Sequence, residues 1–405
     1  FHLLMSRIYH LIALLFLAGT AHADLQADIR TKVTAARAIL DTWHANKAQR
    51  VNRQLHIIYW TPADRDPAAA YRQRLSRILL HIRKFYADEM ERTGFGRRSI
   101  NLQQENDNLV KIHLVKGADP YAKYNVKSGH KIRQECLPTL RKAGIDASRE
   151  TIVIFCNLGE WNEKTRTMRH RSPYYAGGSH RSGTAWQLDE PILDTRNLTV
   201  KAMMRDGQYG RISMGKHNTI FIGGIAHELG HALSLPHNRE RPDERAAFGT
   251  ALMGSGNRTY GDELRGEGKG SFLTLAHAMR LASHPQFSGS IKGLSLPARV
   301  NFSDFKITKA PGGFHCSGLV NSKIPVYALI AYADPEGGSD YDATTVTAVP
   351  DSQGRFLLKC TTHAPGKKAQ LRIIACHVNG ATSKKTLRYS VADDGSVDIS
   401  DTTVE

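Results

Sequence analysis

The chain has 405 residues, enough for two or three domains with substantial cores. Its formal net charge of +17 points to acidic partners such as anionic polymers or acidic proteins; with no recognised nucleic-acid-binding motif, specific nucleic-acid binding is not indicated. None of the five cysteines has zinc-finger spacing, so a cysteine-ligated zinc module is not indicated either.

In chain order, Met5-Ser6-Arg7 precedes an apolar stretch through Ala18, and Ala21-His22-Ala23 gives a small-x-small cleavage site. This predicts a signal peptide over residues 1–23, with 1–4 an extension before a start at Met5, and a secreted or periplasmic mature protein. The apolar stretch is too short to span a bilayer, and no later segment is apolar enough to do so. An exported chain can hold disulfides, and Cys136 with Cys156 is the simplest pairing. Helical spacing follows over 25–47, a strand over 55–60, a long amphipathic helix from Pro67 to about Arg92, and strands over 109–115 and 151–155. This is a mixed α/β pattern. Arg166, Arg169, Arg171 and Arg181, with His170 and His180, form a basic cluster that reads as a solvated loop or as a cleft lining. The segment 172–194 is rich in Gly, Tyr and Ser.

An apolar run over 219–226 leads into His227-Glu228-Leu229-Gly230-His231, followed by Pro236-His237. A helix turns about 100° per residue, so His227 and His231 lie one turn apart on one face, where they can share a metal ion. Glu228 stands beside them as a general base for metal-bound water. Pro236 cannot continue the helix, and the turn it forces can bring His237 back as a third ligand. Three protein ligands and one open position describe a catalytic zinc site rather than a structural one.

His227 through His237 resembles the long zinc motif of the metzincin metalloendopeptidases. The resemblance implies Zn²⁺ held by His227, His231 and His237, Glu228 as catalytic base, and peptide or protein substrates. It also implies a methionine turn beneath the metal, matched by Met253 in 251–256, and a transition-state tyrosine, for which Tyr260 is the nearest residue. The family's glycine between the second and third histidines is Ser234 here, at a position where positive φ costs a non-glycine residue about 1–2 kcal/mol. In such domains a central sheet sits over the zinc helix, and the stretch matching 172–194 includes an edge strand that binds extended peptide.

Ser271 is expected to cap a helix through Ala282. Beyond a boundary at 288, alternating stretches at 300–306, 326–333, 344–349, 356–360, 371–377 and 387–391 read as strands. The expected architecture is therefore an α+β metzincin-like catalytic domain over 24–287, a mixed sheet over a zinc-binding helix, followed by an all-β immunoglobulin-like sandwich domain over 288–405. The second domain is free of zinc motifs and could grip a polysaccharide or acidic surface. Three other readings compete: a zinc peptidase whose third ligand is Glu240, Glu244, Glu263 or Glu267, a non-catalytic polymer-binding protein, and a zinc hydrolase of a non-peptide amide.

Overall fold

The computed structural model describes residues 2–45, 51, 53–335, 340–361, 368–394 and 396–398, with the side chains of 2–22, 340 and 361 left aside. The expected helix end at Lys47, and 336–338 of the turn after β-strand residue Pro335, lie outside these. Helix α1 (His2–Trp43) runs without a break from the expected signal region into the mature chain. Among the described residues no helix is long and apolar enough to cross a membrane.

Next come β1 (Leu55–Thr61), α2 (Tyr71–Thr93), β2 (Ile112–Lys116), α3 (Gly129–Lys142) and β3 (Thr151–Cys156). They are followed by β4 (Gly159–Asn162), β5 (Thr167–His170), β6 (Tyr175–Gly178), β7 (Gly183–Leu188), β8 (Met203–Asp206), β9 (Gly210–Ser213) and α4 (Met214–Ala232). The central sheet has the order β2-β1-β3-β7-β6; β6 alone runs antiparallel, at the edge. Period-two alternation with both faces covered explains why β1 and β3 are mostly apolar. Leu55, Ile57, Tyr59, Val153 and Phe155 face the core shared with α1, α2 and α4. Ile58, Trp60, Ile152 and Ile154 face α3 through Ile132 and Leu140. The strands β4-β5-β8-β9 form a separate small sheet that sequence periodicity did not reveal.

After α4 lie α5 (Pro242–Phe248), β10 (Thr250–Ala251), β11 (Ser271–Phe272), α6 (Leu275–Ser283) and α7 (Pro285–Ser288). The helix expected to be capped by Ser271 begins three residues later, after Thr274, because Ser271 and Phe272 pair in parallel with Thr250 and Ala251. The rest is all-β: β12 (Asn301–Ala310), β13 (Gly313–Asn321), β14 (Val326–Pro335), β15 (Thr344–Ala348), β16 (Arg355–Thr361), β17 (Lys368–His377), β18 (Thr382–Val391) and β19 (Val397–Asp398). These make two antiparallel sheets, β12-β13-β16 and β15-β14-β17-β18-β19. Leu329, Ala331 and Leu371 face the core between the sheets. Tyr327, Ile330 and Tyr332, on the opposite face of β14, belong to the same apolar cluster as α4 and α6. The boundary expected at 288 is thus a change of architecture across which the main core continues.

All five cysteines are buried free thiols. Cys136 and Cys156 share the apolar cluster beneath α3 but are not linked, in contrast to the expected pairing.

Candidate metal centre

Helix α4 starts where the Ser213 hydroxyl accepts the Lys216 backbone N–H at 3.0 Å. Its middle is buried on all sides, which fits the uninterrupted apolar run at 219–226. It ends in a Schellman arrangement: Leu235 N–H donates to the Gly230 carbonyl and Ser234 N–H to that of His231. Ser234 occupies the left-handed position of the expected glycine, at φ 73°. Arg280 of α6 donates to both its carbonyl and its hydroxyl, holding the strained residue in place.

This turn brings the three histidines together. A ligating nitrogen from each of His227, His231 and His237 lies within 4.8 Å of the others, so the cluster could hold a metal ion. The Nε2 atoms of His231 and His237 are 2.9 Å apart. Nδ1 of His227 is 2.7 Å from the Leu252 carbonyl and Nδ1 of His231 is 2.8 Å from the Leu235 carbonyl. A carbonyl accepts only, so both Nδ1 atoms carry the proton and Nε2 is the nitrogen through which each ring would ligate. The donor set and its outer anchors fit a divalent ion that favours imidazole.

Burial, then the neighbouring His231, drives His227 down to about 3, so its ring stays neutral as ligation requires. Burial pushes the Glu228 carboxyl up to about 8. A cation beside it would pull that value down. Tyr174 lies on the same side of α4: its hydroxyl donates to the Phe221 carbonyl at 3.0 Å, and Glu228 adds to the burial that raises its phenol.

Met253 lies against Gly230 of α4, the residue before His231. A Cβ at Gly230 would overlap its sulfur, so glycine there lets the helix rest on the methionine. The next-but-one contact is also direct, since Asn238 N–H donates to the Met253 carbonyl at 3.2 Å. Tyr260 sits elsewhere than the resemblance implied. It is a buried core side chain, edge-on to His81 and tilted against Phe85 of α2. The alternative carboxylates have other partners. Glu240 pairs with Arg245 and accepts the Ala251 N–H; Glu244 accepts the Arg241 N–H; Glu267 pairs with Arg265. Glu263 lies against Gly270, where a Cβ would overlap its carboxylate. The basic cluster divides: Arg181 donates to the carbonyls of Leu294 and Ser295, Arg166 to that of Met203, and Arg171 lies over the Tyr121 ring.

One residue at the centre had no signal in the sequence. Tyr341, in the turn between β14 and β15, stacks on His237 with ring centroids 3.6 Å apart and lies parallel to His227 at 6.2 Å. The turn is docked beside the third histidine, where Arg239 N–H donates to the Ala343 carbonyl at 2.6 Å.

No protein-family model matches the chain, and no curated protein is significantly similar to it. Solved structures are. Wild-type OgpA from Akkermansia muciniphila superposes with a TM-score of 0.71 at 27% identity, over 86% of this chain and 95% of that one; a second crystal form gives 0.71 and 27% over 88% and 96%. Catalytically inactive OgpA in complex with an O-glycopeptide substrate, glycodrosocin, gives 0.71 and 26% over 84% and 94%. The likeness therefore spans both the α/β part and the all-β part.

Proposed function

We propose that this chain is an exported zinc endopeptidase of metzincin type that cleaves peptide bonds in O-glycosylated peptides or proteins. The observation that carries the reading is the convergence of three imidazoles, two of them with their outer nitrogens tied to carbonyls, with a carboxylate beside them. The likeness to a protein crystallised with an O-glycopeptide substrate supports the substrate class. The basic, apolar and small-residue pattern over 5–23 supports export.

His227, His231 and His237 would hold a zinc ion, which would supply a Lewis acid for the scissile carbonyl and the attacking water. Glu228 takes the proton of the attacking water and passes it to the leaving amine. A carboxyl raised by burial but lowered by a nearby cation is suited to both halves of that transfer. The exposed edge of β6 offers backbone groups to an extended substrate by strand addition. Gly178 and Gly183 set the height of that edge over the helix: a Cβ on either would overlap the Ala232 carbonyl.

Glu228→Gln should lower kcat by roughly a hundredfold to ten-thousandfold while zinc content stays at the wild-type level. The assay is digestion of matched glycosylated and unglycosylated peptides, with and without chelator. Full activity in the variant would remove Glu228 from the mechanism. Equal cleavage of both peptides would remove the glycan from the substrate class.

A further inference from the structure

The small sheet β4-β5-β8-β9 carries an arrangement that the reaction at the histidines does not use. Side chains alternate across it, so its buried face takes Met168, Met204 and Asp206 and its outer face takes Thr167, Arg169, Arg205 and Arg211. Arg205 and Arg211 are direct cross-strand partners. Like charges placed directly opposite repel. Among the described residues, none of the three guanidinium groups has an ion pair or side-chain hydrogen bond, whereas most arginines nearby do. Arg65 pairs with Glu160, Arg77 and Arg196 with Asp194, and Arg265 with Asp262. The carboxylates beside them are engaged elsewhere: Asp206, buried, with the His217 ring, and Glu160, the cross-strand partner of Arg169, with Arg65.

The three arginines line a single cavity of about 920 Å³ floored by Gly207 and Gly210. An adjoining cavity of about 1020 Å³ shares Thr167, Arg169 and Arg205 with it and adds Trp161 and Asn162, with Arg65, Asp66 and Glu160 also on its wall. Aromatic and amide side chains are suited to sugar faces and hydroxyls, and a planar guanidinium fork to carboxylate or sulfate. The geometry points to an exosite for an acidic glycan, with its carboxylate or sulfate between Arg205, Arg211 and Arg169 and its neutral sugars beside Trp161.

The exosite is remote from the metal centre. β9 runs directly into α4, and the 14 residues from Ser213 to His227 span roughly 20 Å of helix. An extended substrate covers that distance in about six residues. A substrate chain bearing acidic glycans can therefore be held at the arginines while another of its segments lies at the histidines. This use of the exosite rests on the peptidase reading; the binding itself does not.

Titration of the full chain with a sulfated hexasaccharide and with a sialic-acid tetramer tests it. Arg169→Ser/Arg205→Ser/Arg211→Ser should weaken binding of at least one of them tenfold or more. Removing equal charge from the all-β part, as Lys306→Ser/Lys323→Ser/Lys368→Ser, should change it less than twofold. Which of the two oligosaccharides responds identifies the anion. Equal losses in both variants would reduce the effect to overall charge and overturn the exosite. So would no loss in either, or a neutral hexasaccharide bound as tightly as the acidic ones. A single-stranded oligonucleotide that binds the three arginines more tightly than either glycan would overturn the ligand class. Arg205→Glu, measured alongside with its melting temperature, provides a second folded variant and should weaken binding at least as much as serine. If none of the proteins cleaves any glycopeptide, the peptidase reading fails while the titration still decides the exosite.

Discussion

Helix α4 has buried histidines at both ends and treats them in opposite ways. At its start, His217 is clamped between Glu190 and Asp206, all three shielded from water. Burial alone would lower that ring, but the two carboxylates outweigh it and raise it to about 9. At its end, His227 meets a backbone carbonyl and the His231 and His237 imidazoles, with no carboxylate to offset its burial, which takes it to about 3. The first is a fixed cation within an internal ion cluster; the second is a neutral donor kept available. Residue type and burial are the same at both ends, so neither distinguishes a ligand from a structural histidine. What distinguishes them is whether both ring nitrogens are already bound.

The strongest way to break this comparison is at the open end. His237→Ala should leave fewer than one zinc in ten chains after dialysis and abolish peptidase activity, as read by atomic emission and peptide digestion. Retained stoichiometric metal would transfer the third-ligand role to another residue. At the closed end the expected loss is in stability. His217→Gln leaves Glu190 and Asp206 facing each other without a cation, which should cost roughly 3–5 kcal/mol in denaturant unfolding. The pH dependence has a defined sign. A folded pKa of about 9 against 6.5 for a free histidine contributes on the order of 3 kcal/mol, fully present below pH 6.5 and lost as pH rises through 9. The facing groups in that window are Glu190, Asp206 and the His170 ring. Wild-type stability should fall over pH 6.5–9 and the His217→Gln variant should lack that slope.

Smaller effects sharpen the comparison at its open end. Tyr341→Ala uncovers one face of His237 and should weaken zinc affinity several-fold in a chelator competition, with Tyr341→Phe close to wild type because the stacked ring is retained. An unchanged affinity in the alanine variant would make the stacking incidental. Ser234→Gly removes the left-handed strain but also the Arg280–hydroxyl bond, so it should raise stability by no more than about 1 kcal/mol with the metal site intact.

The open end was legible in the sequence because its chemistry is local. Two histidines one turn apart, a carboxylate between them and a proline before the third histidine all follow from helix geometry. Ser234 was legible as a position needing positive φ, although the residue that stabilises it, Arg280, was not. The rest depended on distant contacts. Tyr341 reaches the centre by strand pairing far along the chain, and Tyr260, nearer in sequence, is taken into the core by α2. Glu190, just past β7, and Asp206, the last residue of β8, converge on His217 with no motif to mark them. The grouping of Arg169 with Arg205 and Arg211 required the register of β5, β8 and β9, so the sequence cluster joined Arg169 to the wrong neighbours. Strand β13 escaped notice because Gly313, Ser317 and Gly318 interrupt its alternation.

Strand β14 is buried on both faces, and Tyr327 on its inner face donates to the Met279 carbonyl in α6. Excising the all-β part would open a hydrophobic wound along α6 and release Arg280, and with it the turn that carries His237. The two architectures share one interior: either part taken without the other would lack half of it.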